Sequence, residues 1–221
     1  MAAEPAGATG RRVLLAGATG LVGRQCLALL AADPSVSEVI ALVRRPPADA
    51  LVDGSKIRFE PVDFDRLDAR RELFAVEQVI CALGTTIKRA GSQQAFRRVD
   101  FDYPLAIARL AREQGARHFL LVSALGASAG SRVFYSRVKG ELEEALGALG
   151  YPALTIVRPS LLLGDRDEFR LGEEIAKRFA WMTPAAYRPV QARALAAALL
   201  MAAREDRPGR RVIESGEIGR N

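Results

Sequence analysis

Apolar runs of four to six residues alternate along this chain with longer amphipathic stretches. The runs Val13–Ala16, Val39–Val43, Ile57–Val62, Val79–Ala82, Phe119–Ser123 and Leu154–Val157 are rich in β-branched residues and leucine and predict strands. Between them, Leu21–Ala32, Asp65–Phe74, Gln93–Gln114 and Tyr135–Leu149 carry helical spacing. Strands apolar at consecutive positions belong in a parallel sheet covered on both faces. Right-handed crossovers then give an α/β fold, a doubly wound, mostly parallel sheet with helices on both faces. Such a sheet places its ligand crevice at the strand C-termini, so the chemistry is expected just after the strands.

Regularity weakens after the sixth run. Residues Leu161–Pro189 mix charges with Trp181 and Pro184, and a helical stretch Ala192–Ala203 and a short Arg211–Glu214 edge strand follow. The expected organisation is a flexible leader over residues 1–10 and a single Rossmann domain over 11–221. A small C-terminal, substrate-side elaboration falls at about 161–190. Within it, Gly164–Arg170 reads either as a charged lid or as a solvated loop.

The first strand runs directly into Gly17-Ala18-Thr19-Gly20-Leu21-Val22-Gly23. A strand, a tight glycine turn and a helix N-terminus suit a pyrophosphate, because glycine admits the backbone N–H groups and the helix start offers unpaired donors. The tetrapeptide is weak evidence alone, since Gly7-Ala8-Thr9-Gly10 repeats it with no strand before it. The other reading of Gly17–Gly23 is an ordinary βα turn.

The second strand ends in Arg44-Arg45. A site for NAD usually carries Asp or Glu here for the ribose hydroxyls, whereas arginine matches a phosphate. This favours NADP(H) over NAD(H), unless both arginines simply face solvent. Asp63-Phe64 follows the third strand, either as an acceptor and a packing face for adenine or as a helix cap. Leu83-Gly84-Thr85 follows the fourth, small enough for a dinucleotide to lie against the backbone. Pro159-Ser160 follows the sixth, offering backbone groups to a nicotinamide carboxamide or merely ending the strand.

Ser123 ends the fifth strand, and Tyr135-Ser136-Arg137-Val138-Lys139 comes twelve residues later. The i, i+4 spacing puts Tyr135 and Lys139 on one helix face. Reducing a carbonyl by hydride needs a proton for the developing alkoxide, which a tyrosine supplies. A neighbouring ammonium stabilises the phenolate, and Ser123 would orient the substrate oxygen.

The formal charge of +6 lies on scattered arginines rather than on one face, which argues against nucleic acid as partner. No apolar run approaches the roughly 20 residues needed to cross a bilayer. The start lacks a signal-peptide pattern, so a cytoplasmic protein is expected. Cys26 and Cys81 read as reduced core residues, and a single histidine, His118, cannot build a metal site. Paired charges and apolar helices permit a homodimer or a protein partner without specifying either.

Over Arg12 to Ala203 the chain resembles an atypical, extended branch of the short-chain dehydrogenases/reductases, and more narrowly the oxidoreductase family typified by the Tat-interacting protein. Five stretches carry the resemblance: Gly17–Gly23; Cys81–Thr86 with Phe96–Tyr103; Ser123–Ala127; Tyr135–Glu143; and Arg158–Arg166. The resemblance implies NADP(H) binding through the glycine turn, Arg44 or Arg45 and Leu83–Thr85. It also implies Ser123, Tyr135 and Lys139 as catalytic residues acting on a small carbonyl or alcohol. Some members act through binding partners, and no substrate follows from the resemblance.

Overall fold

The computed structural model describes residues 10–47, 56–163 and 189–219. The expected leader (apart from its last residue), the core of the 161–190 elaboration and the 164–170 loop therefore lie outside the described residues. Nine strands are described: β1 (Arg11–Ala16), β2 (Val36–Val43), β3 (Ile57–Pro61), β4 (Gln78–Cys81), β5 (His118–Val122), β6 (Ala153–Arg158), β7 (Leu162–Leu163), β8 (Val190–Gln191) and β9 (Gly209–Glu214). Seven form one sheet in the order β3-β2-β1-β4-β5-β6-β9, and every pairing in it is parallel. The short β7 and β8 pair separately.

Successive side chains of a strand point to opposite faces, and here both faces are covered. On one face Leu14, Ile40, Val79, Phe119, Leu121 and Ile156 meet α4 (Tyr103–Glu113) and α5 (Phe134–Gly147) through Ile107, Leu142 and Leu146. On the other, Val13, Leu15, Val39, Ile80 and Leu120 meet α1 (Leu21–Ala32) and α6 (Ala192–Glu205) through Cys26, Leu30, Leu195 and Leu199. This double burial is why the inner strands read as nearly unbroken apolar runs, while the edge strands β3 and β9 carry charged residues. The doubly wound fold expected from the pattern is the one observed, with Arg211–Glu214 forming most of the outer strand β9.

Two expectations are refined. Asp65–Phe74 is not an α-helix but a tight 3-10 stretch, Leu67–Phe74, kinked at Arg70. There the Arg70 guanidinium is held between Glu60 (2.9 Å) and Glu72 (2.7 Å), while Leu67, Leu73 and Phe74 are buried. The expected helix Gln93–Gln114 is continuous but composite. It runs through α3 (Gln93–Arg97), a π turn at Arg98–Asp102 and α4, preceded by the short α2 (Ile87–Ala90). His118 takes the structural role expected at a strand start. It is buried, with Nδ1 2.9 Å from Asp206 and Nε2 2.9 Å from Thr155.

Because the sheet is parallel, Ala16, Val43, Cys81, Val122 and Arg158 all end at one edge. The segments after β1, β2 and β4 line a common cleft there.

Candidate active site

Gly17 leaves β1 with φ +87°, a conformation that glycine adopts without strain. It also lies so close to the end of β4 that a Cβ would come 2.5 Å from the Ala82 carbonyl oxygen. A Cβ on Gly23 would meet the Gly17 carbonyl oxygen at 2.0 Å, so this position lets α1 press back onto the turn. Gly20 is the N-cap and brings no side chain to the first turn, and no acidic residue sits there. The helix start therefore keeps free donors and its positive end for an anion. Val22 is buried under the turn, Leu21 is half-buried and Thr19 is exposed.

A cleft of about 370 Å³ opens over this turn. Gly17, Thr19, Gly20, Arg44, Phe64, Leu83, Gly84 and Thr85 line it, all expected from the sequence. Thr19, Arg44 and Arg45 border a second hollow beside it, and both arginines are exposed. Sequence reasoning missed Arg89, Ala95, Val99 and Tyr103, which close the far wall. These residues come from the composite helix and its lead-in, and only the fold brings them over the sheet edge. Tyr103 packs on Phe64 with ring centroids 5.3 Å apart and donates to Asp65 at 3.0 Å. Asp63 does not line this cleft. It accepts the Asp65 N–H at 3.0 Å in a local turn, while the N-cap of the 3-10 stretch is Arg66, without a side-chain cap bond.

Tyr135 and Lys139 lie one turn apart near the start of α5. Tyr135 is 36% exposed and packs on Phe96, with centroids 5.6 Å apart. Lys139 is 4% exposed, and its Nζ lies 2.8 Å from Asp100 Oδ1. Asp100, 1% exposed on the π turn, accepts the Thr85 N–H at 2.9 Å through its other oxygen. Burial raises the Asp100 carboxyl, and Lys139 and the Thr85 N–H pull it back. Burial also penalises the Lys139 ammonium, but Asp100, Tyr135 and Cys81 hold it above its ordinary value. Asp100 had no assigned role in the sequence. Its signal was an acidic residue on the inner face of an amphipathic helix, four after buried Phe96.

Ser123, also expected at this site, has a buried partner on the same helix. Its hydroxyl donates to Glu143 Oε1 at 2.5 Å, two helical turns beyond Tyr135. Glu143 is buried and held by Arg158 at 3.0 and 2.6 Å. Ser123 has the parity of Phe119 and Leu121, so it points under α5. Pro159 and Ser160 serve the backbone: the Pro159 carbonyl accepts from Leu125 at 2.9 Å, and the Ser160 N–H donates to Ser215 at 3.1 Å.

Residues 17–178 match the model of an NAD(P)H-binding family. The chain is 37% identical over 172 residues to the protein named fmp52, mitochondrial, of Emericella nidulans, spanning 76% of this chain and 74% of that one. It is also 37% identical over 175 residues to Protein HTATIP2 of Rattus norvegicus, spanning 79% and 72%. The chain belongs to this NAD(P)H-binding family. The HTATIP2 match is to the Tat-interacting group whose motifs the sequence carries.

Solved structures share the fold. MoeE5 in complex with UDP-glucose and NAD superposes with TM-score 0.71 at 16% identity, over 91% of this chain and 74% of that one. A short-chain type dehydrogenase/reductase from Mycobacterium ulcerans gives 0.69 at 20% identity, over 94% and 89%.

The residues present fit the dinucleotide of an NAD(P)H-binding protein. The uncapped helix start and the turn glycines suit a pyrophosphate. The Phe64–Tyr103 pair offers an aromatic wall to a base, and Arg44 borders both hollows. Among the described residues no group of three His, Cys, Asp or Glu is placed to hold a metal ion.

Proposed function

We propose that this chain is an NADP(H)-dependent oxidoreductase that transfers hydride to or from a small carbonyl or alcohol substrate, with Tyr135 as acid/base. The supporting observation is the Tyr135–Lys139 pair at the same sheet edge as the glycine turn, with Lys139 buried beside the Leu83–Thr85 loop through Asp100. The bound dinucleotide would supply the hydride. The chain's own residues would then orient the substrate oxygen toward the Tyr135 hydroxyl and exchange a proton there. Arg44 and Arg45 support the phosphate-bearing cofactor, since no carboxylate ends β2 to repel it.

Ser123 is left out of this mechanism because its hydroxyl is committed to Glu143. The same observation favours a second reading, an NADP(H)-binding regulatory protein that binds cofactor without consuming it. Parallel fluorescence titrations with NADPH and NADH, followed by a carbonyl panel on the wild type and Tyr135→Phe, separate the two. Tighter NADPH binding and turnover that Y135F lowers by about 100-fold or more support the enzyme. Equal affinities would overturn the cofactor choice. Binding with no turnover of any carbonyl would favour the regulatory reading.

A further inference from the structure

A lysine four residues after a catalytic tyrosine is expected to act as a free cation that makes the phenol easier to ionise. The geometry here does not leave it free. Lys139 is buried with Asp100 at 2.8 Å, and three titratable groups surround its ammonium. Tyr135 lies on its own helix, Asp100 on the π turn and Cys81 at the end of β4. Burial pushes the Cys81 thiol up to about 11, so it is neutral near pH 7. Phe96, the contact from α3, is apolar. Asp100 is therefore the anion facing the lysine, and its charge cancels much of what Lys139 would do to the phenol.

The π turn is what builds this arrangement. Phe96 and Asp100 both point inward, and Asp100 reaches the lysine and the Thr85 N–H together. A buried carboxylate is costly unless paired, and this one is paired at both oxygens, with catalytic and cofactor-lining segments.

We propose that Asp100 is a positioning residue that balances the Lys139 charge, so that Tyr135 stands protonated, ready as the proton donor for carbonyl reduction. This deepens the oxidoreductase reading and rests on it. In that reaction the carbonyl carbon gains a hydride, with its two electrons, from the reduced dinucleotide. The carbonyl oxygen gains the Tyr135 proton, so the C=O π bond is replaced by one C–H and one O–H bond. The tyrosine O–H bond breaks in the same step, and the phenolate takes a proton back from water. The state of Tyr135 agrees with this role. Burial raises its phenol above the ordinary value, Lys139 lowers it and Asp100 raises it again.

The test needs no substrate. Ultraviolet tyrosinate absorbance is titrated for the wild type against Y135F, which isolates one of the four tyrosines. It is repeated for Asp100→Asn against the D100N/Y135F double variant. Asparagine keeps an acceptor for the Thr85 N–H and removes the charge. The expected result is that Tyr135 ionises at or above the ordinary value of about 10 in the wild type, and about one pH unit or more lower in D100N. The alkaline limb of carbonyl reduction should move down with it. No downward shift in D100N would overturn the proposal. So would a wild-type Tyr135 that ionises below free tyrosine, a result readable even if D100N fails to fold. If the shift appears but no carbonyl is reduced, the charge balance stands and the oxidoreductase reading fails.

Discussion

At the N-terminal ends of the strands Asp33 is buried. It receives Arg204 at 2.9 Å and Arg11 at 3.3 Å, and the hydroxyl and N–H of Ser35 donate to it at 2.7 and 3.0 Å. At the C-terminal ends Asp100 is also buried, with Lys139 at 2.8 Å and one backbone N–H. The two sites share their chemistry and differ in what the partners do elsewhere. Those of Asp33 come from β1, the loop before β2 and the end of α6, and they tie three segments together. Those of Asp100 are the lysine beside Tyr135 and the loop that lines the cleft. A buried carboxylate thus reads as a fastening where its partners end with it, and as part of a site where they reach toward an opening.

This contrast breaks most severely at Lys139. Replacing Lys139 by Met leaves Asp100 buried without its cation, and an uncompensated buried charge costs about 3–5 kcal/mol. Chemical denaturation should show that loss, and turnover should vanish with it. Gly23→Ala attacks the same end through packing alone. Its Cβ would lie 2.0 Å from the Gly17 carbonyl oxygen, so the turn must move. We expect about 1–3 kcal/mol of lost stability together with lost NADPH binding in a fluorescence titration.

Asp33→Asn tests the other end. It should lower stability by about 1–3 kcal/mol through the lost charge-assisted bonds while leaving NADPH affinity unchanged. The wild type should also show an acid limb that D33N lacks. Burial raises the Asp33 carboxyl, but Ser35 and Arg204 outweigh it and bring the group down to about 2. A carboxyl depressed on folding stabilises fully above its unfolded value of about 3.9 and loses that contribution as pH falls toward its folded value. Melting temperatures from pH 5 to about 2 would show the difference.

The smallest effect belongs to Arg45→Ala, at an exposed side chain bordering the outer hollow. Stability should stay within about 0.5 kcal/mol of wild type. NADPH affinity should fall by about tenfold or less, the worth of one charge-assisted bond, with NADH affinity unmoved.

The sequence by itself determined the sheet, its parallel character and the edge where the chemistry lies. The inner strands' apolar runs follow from double burial, and the glycine spacing marks the Gly17–Gly23 turn. The Tyr135–Lys139 pairing needs no more than helical periodicity. Three matters waited for the tertiary structure, each because the partners are remote in sequence. The side of the sheet that Ser123 faces depends on where β5 ends, and that parity gives its hydroxyl to Glu143, 20 residues on. The wall of Arg89, Val99 and Tyr103 depends on how the composite helix crosses the sheet edge. The charge around Lys139 depends on a π turn 39 residues before it. A helical pattern shows that Asp100 points inward; packing alone decides that it meets an ammonium there.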